Sequence, residues 1–190
     1  MQIELNDDQV ALLVDLISRN AGDIELAFER ERSNRIHLVL LLDSGGSMDP
    51  YARLVTQLFT AATDLNVFKS VQAWHFHNAP YGAFFKSEHS MKRWSIVDLM
   101  QGWTPKHRII WVGDACMAPY ELLSPVGRNQ QRGLDWIHRI SRSAPYSVWL
   151  NPEPQRYWNH VTISTVASVV PMFPLTVAGL RDAVQQLRVG

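Results

Sequence analysis

A single cysteine, Cys116, among 190 residues excludes an internal disulfide. A reducing, cytoplasmic compartment is then the simplest expectation. Neither sign of charge is in excess, since 18 Lys and Arg balance 18 Asp and Glu. No basic surplus points to nucleic acid, and no acidic tail points to a disordered arm. No apolar run approaches the length of a membrane helix, and the opening MQIELNDDQV lacks the basic and apolar regions of a signal peptide. Internal repeats and low-complexity segments are absent as well. What is present is apolar material: 46% of the residues are hydrophobic and 19% charged, enough for the core of one domain of ordinary size.

Residues 6–20, NDDQVALLVDLISRN, read as an amphipathic helix, with Asn6 and Gln9 at capping-box spacing and Val10, Leu13, Val14 and Ile17 on one face. Gly22 stops it, and the charged stretch 27–35 reads as a surface linker. The chain therefore divides into an N-terminal helical extension, 1–26, and a main domain, 27–190. From Ile36 the texture changes. Ile36–Leu42 is nearly continuous apolar sequence, the mark of a strand buried on both faces. Asp49-Pro50 reads as the cap and first turn of a helix carrying Leu54, Val55 and Leu58.

Further strands are expected at 71–77, 81–85, Arg108–Gly113, Tyr146–Leu150 and within Val166–Phe173. Helices are expected over 92–101, 128–142 and Thr176–Leu187. Alternation of this kind predicts a doubly wound, mostly parallel α/β sheet with helices on both faces, and the short 81–85 segment predicts one antiparallel edge strand. Ligands of such sheets bind beyond the carboxyl ends of the strands. Two strands here end alike, LLLD at Asp43 and WVGD at Asp114. If they are neighbours, their carboxylates meet in one crevice.

The loop after Asp43 reads DSGGSMDP. It is not a nucleophile elbow, because Ser47 is not framed as G-x-S-x-G. It is not a phosphate loop or a dinucleotide fingerprint, lacking the lysine of the one and the third glycine of the other. A divalent-metal site remains: Asp43 supplies charge, Ser47 a hydroxyl, and Asp114 with a hydroxyl from another loop completes a hard-oxygen set for Mg²⁺ or Mn²⁺. The alternative is a plain tight turn made possible by Gly45 and Gly46.

On these residues the chain resembles a von Willebrand factor A (VWA) domain of Rossmann-like type, and within that superfamily the bacterial CoxE-like VWA proteins. The superfamily's metal-ion-dependent adhesion site reads D-x-S-x-S after the first strand. Asp43 matches its first position and Ser47 its last, while Gly45 departs from the first serine. The resemblance implies Ser95, opening SIVDLM, as the middle hydroxyl and Asp114 in WVGDACMAPYE as the final ligand. VWLNPEP and MFPLT also resemble the CoxE-like group, and the likeness covers about 27–188. The N-terminal helix is not part of that pattern, whose members commonly carry more sequence ahead of the VWA domain.

The resemblance implies a non-enzymatic protein-interaction domain that binds a divalent cation and, through it, an acidic group of a protein partner. The implied partner is a MoxR-type AAA+ ATPase or its client. Two rivals stand beside this reading: a metal-free interaction scaffold and a metal-dependent hydrolase. Among other candidates, His75 and His77 share a strand face without an evident third zinc ligand. Cys116 lacks an activating base and reads as a small buried residue. Asp49 reads as a helix cap, Glu88, His89 and Lys92 as a solvated loop, and Trp94 or Trp103 as possible partner contacts above the sheet.

Overall fold

The computed structural model of the chain describes residues 36–64, 68–126 and 130–188. The expected helix over 6–20, the 1–26 extension and the 27–35 linker lie outside them. In chain order the elements are β1 (His37–Asp43), a 3-10 turn (Gly46–Tyr51), α1 (Ala52–Asp64), β2 (Ser70–Phe76), β3 (Ala83–Phe84), β4 (Trp94–Ser95), α2 (Ile96–Gln101) and β5 (His107–Val112). Then follow α3 (Pro119–Leu123), α4 (Gly133–Ser143), β6 (Ser147–Asn151), a second 3-10 turn (Gln155–Tyr157), α5 (Val161–Ala167), β7 (Met172–Pro174) and α6 (Val177–Arg188).

Five strands form one parallel sheet in the order β2-β1-β5-β6-β7. The chain steps outward from β1 to β2, then crosses back and builds β5, β6 and β7 on the other side. The strand order therefore reverses between β1 and β5, and the switch point of this α/β fold lies there. Side chains alternate across the sheet. Val39 and Leu41 share one core with Trp74, Phe76, Ile109, Trp111 and Trp149, covered by Ile137 and Ile140 of α4 and Ile163 and Val166 of α5. Leu38, Leu40 and Leu42 share the other with Ile110, Val112, Val148 and Leu150, covered by Leu54 and Val55 of α1 and Leu180, Ala183 and Leu187 of α6. Burial on both faces is why the β1 sequence shows no polar alternation.

Three expectations are corrected. The antiparallel edge strand is reduced to a single bridge, His75 to Phe85, whose two backbone hydrogen bonds measure 2.8 and 2.9 Å. β3 pairs mainly with β4, as a separate two-stranded sheet, which takes the start of the helix expected over 92–101. Asp49 does not cap a helix: positive φ at Gly45 and Gly46 winds the chain straight into the 3-10 turn, and the Ala52 N–H donates to the Asp49 carbonyl. The short strand expected within Val166–Phe173 is β7, Met172–Pro174, and the stretch from 161 to 167, where no element was expected, is helical. Its β-branched residues favour a strand, but burying Thr162, Ile163 and Val166 on one helical face outweighs that weak propensity.

Candidate metal centre

The floor of the crevice follows from sheet register. Leu41, Trp111 and Trp149 stand side by side on β1, β5 and β6. Two residues further along the same face are Asp43, Gly113 and Asn151, at the carboxyl edge of the sheet. A Cβ at Gly113 would lie 2.7 Å from Asp43 Cβ, 3.2 Å from Asp43 Oδ2 and 3.3 Å from the Trp149 ring. Glycine in WVGD is what leaves room for the Asp43 carboxylate. The two strand-ending aspartates are thus brought together, because β1 and β5 are neighbours.

Asp43 is 5% exposed. Its Oδ1 accepts the Asn78 N–H at 2.9 Å, and Asn78 holds the left-handed φ of 58° that asparagine tolerates. Asn78 Nδ2 in turn donates to Glu121 Oε1 at 2.8 Å, tying the loop after β2 to α3. Burial, aided by the nearby Asp114 charge and opposed by the Asn78 hydrogen bond, pushes the Asp43 carboxyl up to about 7.

Asp114 is 2% exposed. Its Oδ1 accepts the Cys116 N–H at 2.9 Å across Ala115, which has a φ of 54°. The backbone around it is held by three side chains. Trp149 Nε1 donates to the Gly113 carbonyl at 2.7 Å, Asn151 Nδ2 to the Asp114 carbonyl at 2.8 Å, and Thr162 Oγ1 to the Ala115 carbonyl at 2.8 Å. Asp114 Oδ2, by contrast, is buried with no hydrogen-bond partner. A buried carboxylate oxygen without a donor is costly, and a cation is one group that relieves it.

Ser47 lies exposed on the 3-10 turn that follows Asp43. Ser95 lies on the β3–β4 pair, a sheet separate from that of Asp43, where its Oγ caps α2 by accepting the Asp98 N–H at 3.3 Å. Gly45 has φ 82° and ψ 169°, a region essentially confined to glycine. A Cβ there would meet the His77 ring at 3.5 Å, and His77 Nδ1 donates to the Ser44 carbonyl at 2.7 Å. The departure from the adhesion-site pattern is therefore one of backbone as well as side chain. Gly45→Ser is expected to lower stability by about 1–3 kcal/mol and to leave Mn²⁺ binding no tighter. Tighter binding at unchanged urea midpoint would show that this loop relaxes to a serine-compatible form.

Sequence reading missed three residues of the crevice. Tyr51 and Glu153 are half-buried beside Asp114, and Asn151 is fully buried beneath it. Only the position of NPEP just past a strand pointed to Glu153. Cys116 is exposed, not buried, because the turn at Ala115 carries it outward. Burial of its sulfur and the Asp114 and Glu153 charges push the thiol up, away from a reactive thiolate. His75 remains half-buried on β2, with Nδ1 unpartnered. Trp94 packs edge-on against Trp74 at 5.5 Å, and Trp103 packs against the core, while Glu88, His89 and Lys92 are exposed as expected. A cleft of about 540 Å³, lined by Asp43, Gly45, Asp49, Val71, His75 and Glu88, opens beside the Asp43 loop. Among the described residues no three His, Cys, Asp or Glu side chains stand together at metal-holding distance.

No family model matches the chain, and neither a curated protein nor a solved structure does.

Proposed function

We propose that the domain is a non-enzymatic protein-interaction module of VWA type. It holds a divalent cation, Mg²⁺ or Mn²⁺, in the crevice between the ends of β1 and β5, and takes an acidic partner group through that ion. The observation that carries this reading is the pair of buried carboxylates, Asp43 and Asp114, at the switch point, one of whose oxygens lacks any donor. Both aspartates are candidate ligands. Ser47 follows on the same loop, and Ser95, whose hydroxyl caps α2, is the candidate middle hydroxyl. The ion would supply positive charge to carboxylates that otherwise repel.

The surroundings favour a macromolecular partner. Tyr120 (68% exposed), Tyr157 (50%) and Val161 (46%) stand out on the elements that follow β5 and β6, on the crevice side of the sheet. Exposed aromatic and apolar groups gathered at one edge suit a protein contact. The resemblance supplies the partner's kind, a MoxR-type AAA+ ATPase or its client. Among the described residues no helix is long and apolar enough to cross a membrane.

Calorimetric titration with Mg²⁺ and Mn²⁺ tests the reading. Wild type is expected to bind, and Asp114→Ala to lose binding while melting as a folded domain. Pull-down of the ATPase or client should fail with the same variant and with EDTA. Absence of ion binding by wild type would sink the metal-bridged reading and leave the metal-free scaffold. Metal-dependent turnover across an ester and phosphoester panel would favour the hydrolase.

A further inference from the structure

One side chain joins the two loops that carry the crevice. Glu121 stands in the first turn of α3. Its Oε2 accepts the Ala118 N–H at 3.0 Å, and its Oε1 accepts from Asn78 Nδ2 at 2.8 Å. The first bond is that of a helix cap, an acidic group reaching back to the residue ahead of the helix. A cap needs only that one. The second bond leaves the helix and crosses to the loop after β2.

Each bond leads to a carboxylate of the crevice. Asn78 donates its backbone N–H to Asp43 Oδ1 at 2.9 Å, from a left-handed turn with φ 58°. Asparagine takes such a turn at some cost, so its surroundings must hold it there. The bond from its side chain to Glu121 does so. On the other side, Ala118 ends the loop that begins at Asp114, whose Oδ1 accepts the Cys116 N–H at 2.9 Å. Thr162 steadies the middle of this loop, donating to the Ala115 carbonyl at 2.8 Å and accepting the Met117 N–H at 3.4 Å. Glu121 steadies its far end. The base for both bonds is firm: Leu122 of α3 is fully buried, and the Tyr81 hydroxyl donates to the Glu121 carbonyl at 2.8 Å.

Resting on the ion reading above for its purpose, we propose that Glu121 is a positioning residue of the site: the two oxygens of its carboxylate clamp the loop after β2 to the loop after β5, and so set Asp43 and Asp114 relative to each other. Both oxygens already have donors, which suits support rather than ligation of an ion. The clamp is closed in the ion-free chain. Ordering of the two loops is therefore met on folding and does not weaken binding. Supporting hydrogen bonds one step removed from a metal commonly decide about ten- to hundredfold in affinity.

Two readouts test the clamp: Mn²⁺ affinity, from electron paramagnetic resonance of the free ion, and the Asn78 backbone amide resonance of the ion-free protein. Glu121→Ala is expected to weaken Mn²⁺ binding about tenfold and to move the Asn78 resonance upfield, as its N–H drifts off the Asp43 carboxylate. Asn78→Gly keeps the left-handed turn but loses the bond to Glu121. It should weaken binding too, and add little in the Glu121→Ala background. Fully additive losses would show that Glu121 does not act through Asn78, and would overturn the proposal. Tyr81→Phe removes a hydrogen bond from the same helix without touching the carboxylate. It should lower the urea midpoint and leave affinity and resonance at wild-type values; a loss of affinity matching that of Glu121→Ala would reduce Glu121 to a prop of α3 and overturn its positioning role. If Glu121→Ala does not fold, Glu121→Gln replaces it with a smaller loss in the same direction, because one amide oxygen can serve Asn78 or Ala118 but not both. A folded Glu121 variant with wild-type affinity and resonance overturns the proposal, while loss of the ion in Asp114→Ala keeps the crevice reading. If wild type binds no Mn²⁺, the ion reading falls and the Asn78 resonance alone decides the clamp: moved, it stands; unmoved, it falls as well.

Discussion

Replacing Asp43 by asparagine is expected to make the ion-free domain more stable at pH 8, by up to about 4 kcal/mol, while abolishing Mg²⁺ binding. The Asp43 carboxyl ordinarily titrates at 3.8, and burial carries it to about 7. A folded value above the unfolded one means that the folded chain binds more protons between the two. Stability is therefore highest below pH 4 as far as this group is concerned, and it falls as pH rises toward 7. Above 7 the ionised carboxylate is held in a poor environment and its cost is fully felt. An amide avoids that cost. Its oxygen still accepts the Asn78 N–H, and its nitrogen can donate toward Asp114 Oδ2, which lacks a donor.

Urea unfolding in EDTA at pH 5 and pH 8 checks this. Asp43→Asn should be the more stable at both, by less than half as much at pH 5 as at pH 8, because the unfolded carboxyl is already ionised at pH 5. Addition of Mg²⁺ should stabilise only wild type, since only the folded wild-type site binds it. The same proton makes Mg²⁺ binding by wild type tighten as pH rises through 7. Equal stability at both pH values, or a less stable variant at pH 8, would show that the carboxylate is well solvated or paired. A residue retained at a cost to folding is what a binding site at the switch point requires.

Trp149→Ala is expected to cost about 3–5 kcal/mol of stability. The ring is fully buried, stacks on Trp111 at 5.2 Å with 9° between planes, and meets Phe76 edge-on at 6.2 Å. Removing it opens a cavity between sheet and helices that rigid neighbours close only in part. Trp149→Phe separates packing from polarity. It keeps an aromatic ring but strips the Gly113 carbonyl of its 2.7 Å donor, which should cost about 1–3 kcal/mol. Because that carbonyl adjoins Asp114, the phenylalanine variant should also bind Mn²⁺ more weakly. Chemical denaturation gives the first effect and Mn²⁺ titration the second. Unchanged ion affinity in Trp149→Phe would mean that Asn151 and Thr162 hold the Asp114 loop without the indole.

Much of the fold was legible in the sequence because its signals are local. The expected strands at 36–42, 71–77, 108–113 and 146–150 each lie within one residue of β1, β2, β5 and β6. The helix expected over Thr176–Leu187 is α6, and Thr176 caps it, its Oγ1 accepting the Gly179 N–H at 3.1 Å. Apolar runs declare buried parallel strands through composition alone. Over 161–167 propensity and packing disagree, and the sequence reading assigned no element there. There the β-branched residues are helical because burial rewards one helical face.

The candidate site divides along the same line. By itself the sequence determined that one buried strand ends in aspartate, that a second has an aspartate just past its end, and that a glycine-bearing loop follows the first. Those are properties of adjacent residues. Only the tertiary structure decided that the two strands lie side by side, that Gly113 makes room for Asp43, that Ser95 stands on another sheet, and that Asn151 at the end of β6 ties the Glu153 backbone to the Asp114 loop. Each of these depends on strand order and register between segments far apart in the chain. Such pairings are set by which apolar faces bury one another across the whole domain, and no local pattern encodes them.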